Sequence, residues 1–170
     1  MAKSNNLKFS SVKQKAKEAN ETEVYEFEDG TTLTFYPTFS PSMIEDMFVD
    51  IQSVLQKVGD ELDLNERTLQ KYVLYNVIKY FTHLKKQLKA TTLTGQINEM
   101  SSLIDSGYFE IIINEVFDQK EISKVFDFMS KFTAQFTLFE KIQKKYESEL
   151  ESLELKNRDV FEKLKASKQE

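Results

Sequence analysis

The two prolines of this chain, Pro37 and Pro41, stand close together near its beginning, and its four glycines are isolated from one another. Backbone breaks are therefore confined to a few places, and residues 119 to 167 contain no Pro or Gly at all. Such a chain carries its clearest strand signal ahead of the prolines and mainly helical patterns after them.

Ahead of Pro37, the residues Glu23-Val24-Tyr25-Glu26-Phe27-Glu28-Asp29-Gly30-Thr31-Thr32-Leu33-Thr34-Phe35-Tyr36 alternate apolar and polar on both sides of Asp29-Gly30. That pattern predicts a β-hairpin. A three-residue loop, Glu28-Asp29-Gly30, gives Gly30 the positive φ and sets Tyr25 opposite Leu33. Tyr25, Phe27, Leu33 and Phe35 then share one face, with Glu26, Thr32 and Thr34 on the other. A two-residue loop would pair Phe27 with Thr32 and scatter the aromatic residues. An isolated hairpin is marginal in water, so this face must pack on the helices or on another chain.

Ser40 is placed to cap a helix that starts at Pro41, with Met43, Ile44, Met47, Phe48, Ile51, Val54, Leu55 and Val58 recurring at helical spacing up to Gly59. Asn65 caps a second, whose apolar face runs Leu69, Tyr72, Val73, Val77, Tyr80, Phe81, Leu84, Leu88, with Lys85, Lys86 and Lys89 at its C-terminal end. Ile97, Met100, Leu103 and Ile104 define a third, closed by Asp105-Ser106-Gly107. Residues 108 to 117 suit either a buried strand or a short helix; the spacing of Phe109, Ile112, Ile113, Val116 and Phe117 favours helix. From about Gln119 one long helix of roughly 70 Å is allowed. Steps of four and three from Val125 reach Met129, Phe132, Phe136, Phe139, Gln143, Tyr146, Leu150, Leu153, Asn157, Val160 and Leu164, a heptad seam that either pairs with another helix or folds back on its own domain.

The residue inventory limits the chemistry. There is no cysteine, so disulfides and thiolate sites are excluded, and with one histidine, His83, a multi-His metal site is excluded too. His83 has no nucleophile motif beside it and reads as an ordinary boundary residue. Asp60-Glu61-Leu62-Asp63 lacks the Gly and spacing of an EF-hand loop, and isolated glycines write neither a P-loop nor a dinucleotide fingerprint. No catalytic, cofactor or metal residue is assigned. No apolar run approaches the roughly 20 residues of a membrane span, and the first residues lack a signal peptide's apolar stretch, so a soluble cytoplasmic protein is expected.

Charge is unevenly spread. Residues 1–20 carry +4 through Lys3, Lys8, Lys13, Lys15 and Lys17 against Glu18, leaving −9 for the remainder. With no Arg and one aromatic residue in that arm, and a net charge of −5 overall, nucleic acid is a poor partner. A solvated arm, or one that orders against a neighbour, is expected.

The segment Glu26-Phe27-Glu28-Asp29-Gly30-Thr31-Thr32-Leu33-Thr34-Phe35, the following Pro37-Thr38-Phe39-Ser40-Pro41-Ser42-Met43-Ile44-Glu45-Asp46-Met47, and Leu103-Ile104-Asp105-Ser106-Gly107-Tyr108-Phe109-Glu110-Ile111-Ile112 together form a short β element followed only by helices. In this organisation, over about residues 22–130, the chain resembles the tail assembly chaperones of long-tailed bacteriophages of Gram-positive hosts. The resemblance implies a non-enzymatic protein of the bacterial host cytoplasm. It implies a helical client such as the tape-measure protein, coated while the tail tube assembles. The alternative is a coiled-coil scaffold of a phage or bacterial assembly.

The expectation is thus a mainly α protein: a basic flexible arm over 1–21, a hairpin plus helical bundle over 22–130, and an extension of a long coiled-coil-like C-terminal helix over 131–170. Protein partners, either a helical client or further copies in a homo-oligomer, are expected to meet Tyr25, Phe27, Phe35, Met43, Met47, Phe136, Phe139, Tyr146, Leu150, Leu153 and Val160. For Met43 and Met47 the competing use is filling gaps in the core.

Overall fold

The computed structural model describes residues 6–58 and 65–133. The chain divides into two compact units, Met1–Phe126 and Asp127–Glu170. In the second unit the described residues, 127–133, are helical, and the Phe128 and Phe132 rings stack with centroids 5.8 Å apart.

The first unit is mainly α, with one antiparallel hairpin near its start. Helix α1, Phe9–Glu18, lies in the basic arm and buries none of its side chains. The hairpin follows as β1, Glu23–Glu26, and β2, Thr32–Phe35. Its register pairs Tyr25 with Leu33 and Glu26 with Thr32, the pairing that puts the aromatic residues on one face. Gly30 sits at φ +79°, and the Phe27 and Gly30 amides donate to Thr31 O and Phe27 O, both at 2.9 Å. This is a three-residue loop whose last position needs left-handed backbone. Nothing lies within 4 Å of where a Cβ would sit on Gly30, so the cost of a side chain is conformational alone. Gly30→Ala is expected to lower stability by about 1–2 kcal/mol, and Gly30→Asn by less, as read from urea midpoints.

Helix α2, Pro41–Gln56, starts where expected, with Ser40 Oγ accepting from the Met43 amide at 3.4 Å and Pro41 in the first turn. It buries Ile44, Met47, Phe48, Ile51 and Val54. Helix α3, Glu66–Phe81, is capped by Asn65, whose Oδ1 accepts from the Thr68 amide at 2.9 Å. Tyr72, Val73, Tyr75, Asn76, Val77, Ile78, Tyr80 and Phe81 are all buried, so α3 is apolar around most of its circumference and forms the centre of the unit.

The apolar spacing predicts that α3 continues to Leu88; the structure ends it at Phe81. Thr82 adopts an extended backbone (φ −134°, ψ 168°) and forms a β-bridge with Phe35, while the Tyr36 amide donates to Phe81 O at 2.9 Å. The outer edge of β2 is completed by His83, whose Nδ1 accepts from the Thr34 amide at 3.1 Å. A free strand edge is thereby covered, and the helix is given up to cover it. His83–Lys86 form one 3₁₀ turn instead, so Lys85, Lys86 and Lys89 lie beyond the α3 terminus.

Helix α4, Leu93–Asp105, is capped by Thr92 and followed by Gly107 at φ +81°. Buried Gln96 joins it to α3, accepting from Tyr72 and donating to Ala90 O at 3.0 Å. Helix α5, Tyr108–Ile111, passes into a π turn over Ile112–Val116, closed by the Phe117 amide donating to Ile112 O at 3.1 Å. The wider turn accommodates Ile112, Ile113, Val116 and Phe117, all buried. Residues 119–126 are helical again and bury Ile122 and Val125.

Candidate functional site

The residues expected at a partner interface do not stay together. Phe27, Phe35 and Met47 are buried inside the chain, so the apolar faces of the hairpin and α2 are covered by the chain's own helices. That removes α2 as an exposed docking seam. Tyr25 and Met43 are half-buried. Phe136, Phe139, Tyr146, Leu150, Leu153 and Val160, and with them most of the heptad seam, lie outside the described residues, as does Asp60-Glu61-Leu62-Asp63.

Tyr25 belongs to an open groove of about 390 Å³ between the hairpin and the α4–α5 junction. The β1 alternation turns Tyr25 and Phe27 to the same side, and Gly107 turns the chain so that Tyr108 meets them. The Tyr25 and Phe27 rings meet edge-on at 5.2 Å, and Phe27 meets Tyr108 edge-on at 4.8 Å, a geometry favoured by the aromatic quadrupole. Ile111 extends this apolar floor. Four acidic residues also line it, Glu26, Glu28 and Asp29 from the hairpin and Glu115 from the π turn.

Two of these carboxylates hold the floor in place. Tyr25 donates to Glu115 Oε2 at 3.2 Å, and Tyr108 donates to Asp29. Partial desolvation and then the Glu115 bond push the Tyr25 phenol above its ordinary pKa. Asp29 also accepts from the Thr31 hydroxyl at 2.6 Å and the Thr31 amide at 2.9 Å. The Thr31 and Tyr108 bonds draw its pKa down to about 2, so it remains ionised at neutral pH. Glu26 and Glu28 are exposed and, among the described residues, meet no cation.

The other side of the hairpin tip carries a second groove, about 430 Å³, sharing Phe27 and Tyr108 but walled by uncharged or apolar residues such as Leu33, Leu84 and Ile112. A third, about 200 Å³, lies among Asp50, Lys57, Lys79 and Tyr80. Among the described residues no three His, Asp or Glu side chains are placed to hold a metal ion, and no helix is long and apolar enough to cross a membrane. His83 is engaged with the β2 backbone through Nδ1.

Sequence reasoning reached Tyr25 and Phe27 but missed Tyr108, Ile111 and Glu115. Tyr25 and Glu115 are 90 residues apart, and no local pattern announces their contact.

The fold and groove define a hairpin-led, mainly helical protein with an open aromatic groove lined by carboxylates. The YomO family model matches residues 9–164, and the chain belongs to the YomO family. A curated relative, the "SPbeta prophage-derived uncharacterized protein YomO" of Bacillus subtilis (strain 168), is 25% identical over 125 residues, 73% of this chain and 73% of that protein. The family is thus phage-derived, which carries the expected phage kinship at that level. No solved structure matches the chain.

Proposed function

We propose that this is a non-enzymatic, tail-assembly-chaperone-like protein that holds a helical client such as a tape-measure protein. The observation that carries the reading is the groove at Tyr25, Phe27, Tyr108 and Ile111, with its aromatic floor and carboxylate rim. An apolar floor takes the apolar stripe of an amphipathic helix, and the flanking carboxylates select one bordered by Lys or Arg. Membership of a phage-derived family and the resemblance in the hairpin and helix-start segments support the same reading. Many copies along one elongated client would add up by avidity, with no single tight site required.

The test is co-expression with the tape-measure protein encoded by the same phage or prophage. The client is expected to become soluble and co-purify, and Glu26→Lys/Glu28→Lys is expected to reduce the retained client about tenfold or more. A client that stays insoluble with or without this protein contradicts the proposal. The heptad spacing from Val125 to Leu164 supports a second reading, a coiled-coil scaffold of fixed stoichiometry. Stable oligomers that fall apart on truncation after Phe139 would favour it.

A further inference from the structure

The chain itself carries a helix of the kind this groove suits. Leu7 and Phe9 are 81% and 72% exposed, and α1 buries no side chain. Helical spacing places Phe9, Val12 and Ala16 in one stripe, with Lys13 and Lys17 along one border and Lys15 along the other. Ser10, Ser11, Gln14 and Glu18 face away from it. This matches the groove's apolar floor and acidic rim, and the chain's charge divides the same way, +4 over residues 1–20 and −9 beyond. Among the described residues, Lys8, Lys13, Lys15 and Lys17 meet no acid, just as Glu26 and Glu28 meet no cation.

We infer that α1 of one copy docks into the Tyr25–Tyr108 groove of a second copy, with lysines against Glu26 and Glu28 and the Phe9–Val12–Ala16 stripe on the aromatic floor. A second copy supplies the helix because the connection from α1 to β1 is tied off. Ala19 N donates to Lys15 O at 3.0 Å, Asn20 Nδ2 to Ala16 O at 2.7 Å, and Glu21 N to Glu18 O at 3.2 Å. These bonds fix the chain up to Glu21 and leave Thr22 as the one residue between them and β1, which opposes a return of α1 into its own groove. Docking covers Phe9 of one copy and the Tyr25–Tyr108 floor of the other until a client helix displaces α1. The inference rests on the groove being a helix-binding surface, and its test separates the two.

The test uses the full chain in two charge-reversed forms. Lys13→Glu/Lys17→Glu reverses the arm and Glu26→Lys/Glu28→Lys reverses the groove; all four side chains are exposed. The absence of native cysteine makes a disulfide between Ala16→Cys on one copy and Ser106→Cys on another an unambiguous reporter. Cross-linking between copies is expected, with the contact weakened about tenfold or more in either reversed form alone and recovered in their equimolar mixture. Cross-linking confined to single chains carrying both cysteines overturns the inference, as does cross-linking indifferent to the reversals. Binding of α1 to anionic vesicles with no groove dependence also overturns it. If copies do not exchange α1 while client capture still depends on Glu26 and Glu28, this inference falls and the client reading stands; if neither occurs, both fall.

Discussion

Phe39→Ala lowers the thermal midpoint of this protein by roughly 10–20 °C, on a scale of about 3–5 kcal/mol for emptying a buried aromatic site in a domain of this size. Phe39 is 1% exposed and sits on the short connection between β2 and α2. Its ring stacks on Phe81 at the end of α3, centroids 3.9 Å apart, and meets Phe117 edge-on at 5.0 Å. Its backbone amide donates to Glu121 Oε2 at 2.8 Å, so the same residue ties the connection to the helix that begins at 119. Removing the ring opens a cavity where hairpin, α3 and the π turn converge, and close-packed neighbours on three elements cannot all collapse into it. Phe39→Leu keeps most of the volume and loses less. Circular dichroism melts decide the matter: a fall of only a few degrees for the alanine variant would place the core's centre elsewhere.

A second large effect lies at alkaline pH. Burial pushes the Tyr72 phenol up to about 12. Burial also raises Tyr75 and Tyr80, reinforced by bonds to the carboxylates of Glu99 and Asp50. All three project from α3, the central helix. In the unfolded chain a tyrosine loses its proton near pH 10, whereas here the neutral form is held. The native state therefore binds more protons than the unfolded state above pH 10. Stability from these groups is complete below about pH 10 and declines as pH rises toward 12. Cooperative loss of helicity is expected in that window, with phenolate absorbance rising in the same step. Tyr72→Phe/Tyr75→Phe/Tyr80→Phe is expected to shift the alkaline transition upward while weakening the protein at neutral pH, because Gln96, Glu99 and Asp50 lose their donors. Loss of the proton from Tyr72, Tyr75 or Tyr80 below pH 12 with the helices intact, read as a phenolate signal absent from the triple Phe variant, would contradict the assigned burial.

The hairpin was legible in the sequence because two independent constraints agree: a glycine where positive φ is needed, and aromatic residues that fall on one face in only one register. The start of α2 was legible through Ser40-Pro41, a purely local signal. The end of α3 was not. Its apolar spacing runs on through Leu84 and Leu88 with no Gly or Pro to stop it. The stop is tertiary, set by Thr82 pairing with Phe35 and His83 satisfying Thr34. Helix α1 was hidden for the opposite reason, since its short stripe is embedded in lysines and buries no side chain among the described residues. At the site, alternation marked an apolar hairpin face but could not say that Phe35 would be covered internally while Tyr25 and the edge of Phe27 formed the floor of an open groove. The carboxylate opposite, Glu115, comes from the π turn, brought there by the turn at Gly107.

The account turns on the groove holding a helix from another molecule, and intermolecular paramagnetic relaxation reads this most directly. Unlabelled chains carrying a spin label at Ala16→Cys are mixed with isotope-labelled native chains. The amides of residues 25–29 and 106–115 are expected to broaden selectively, and Glu26→Lys/Glu28→Lys in the labelled chains is expected to abolish the effect. Broadening elsewhere on the surface, with these amides untouched, would contradict the account.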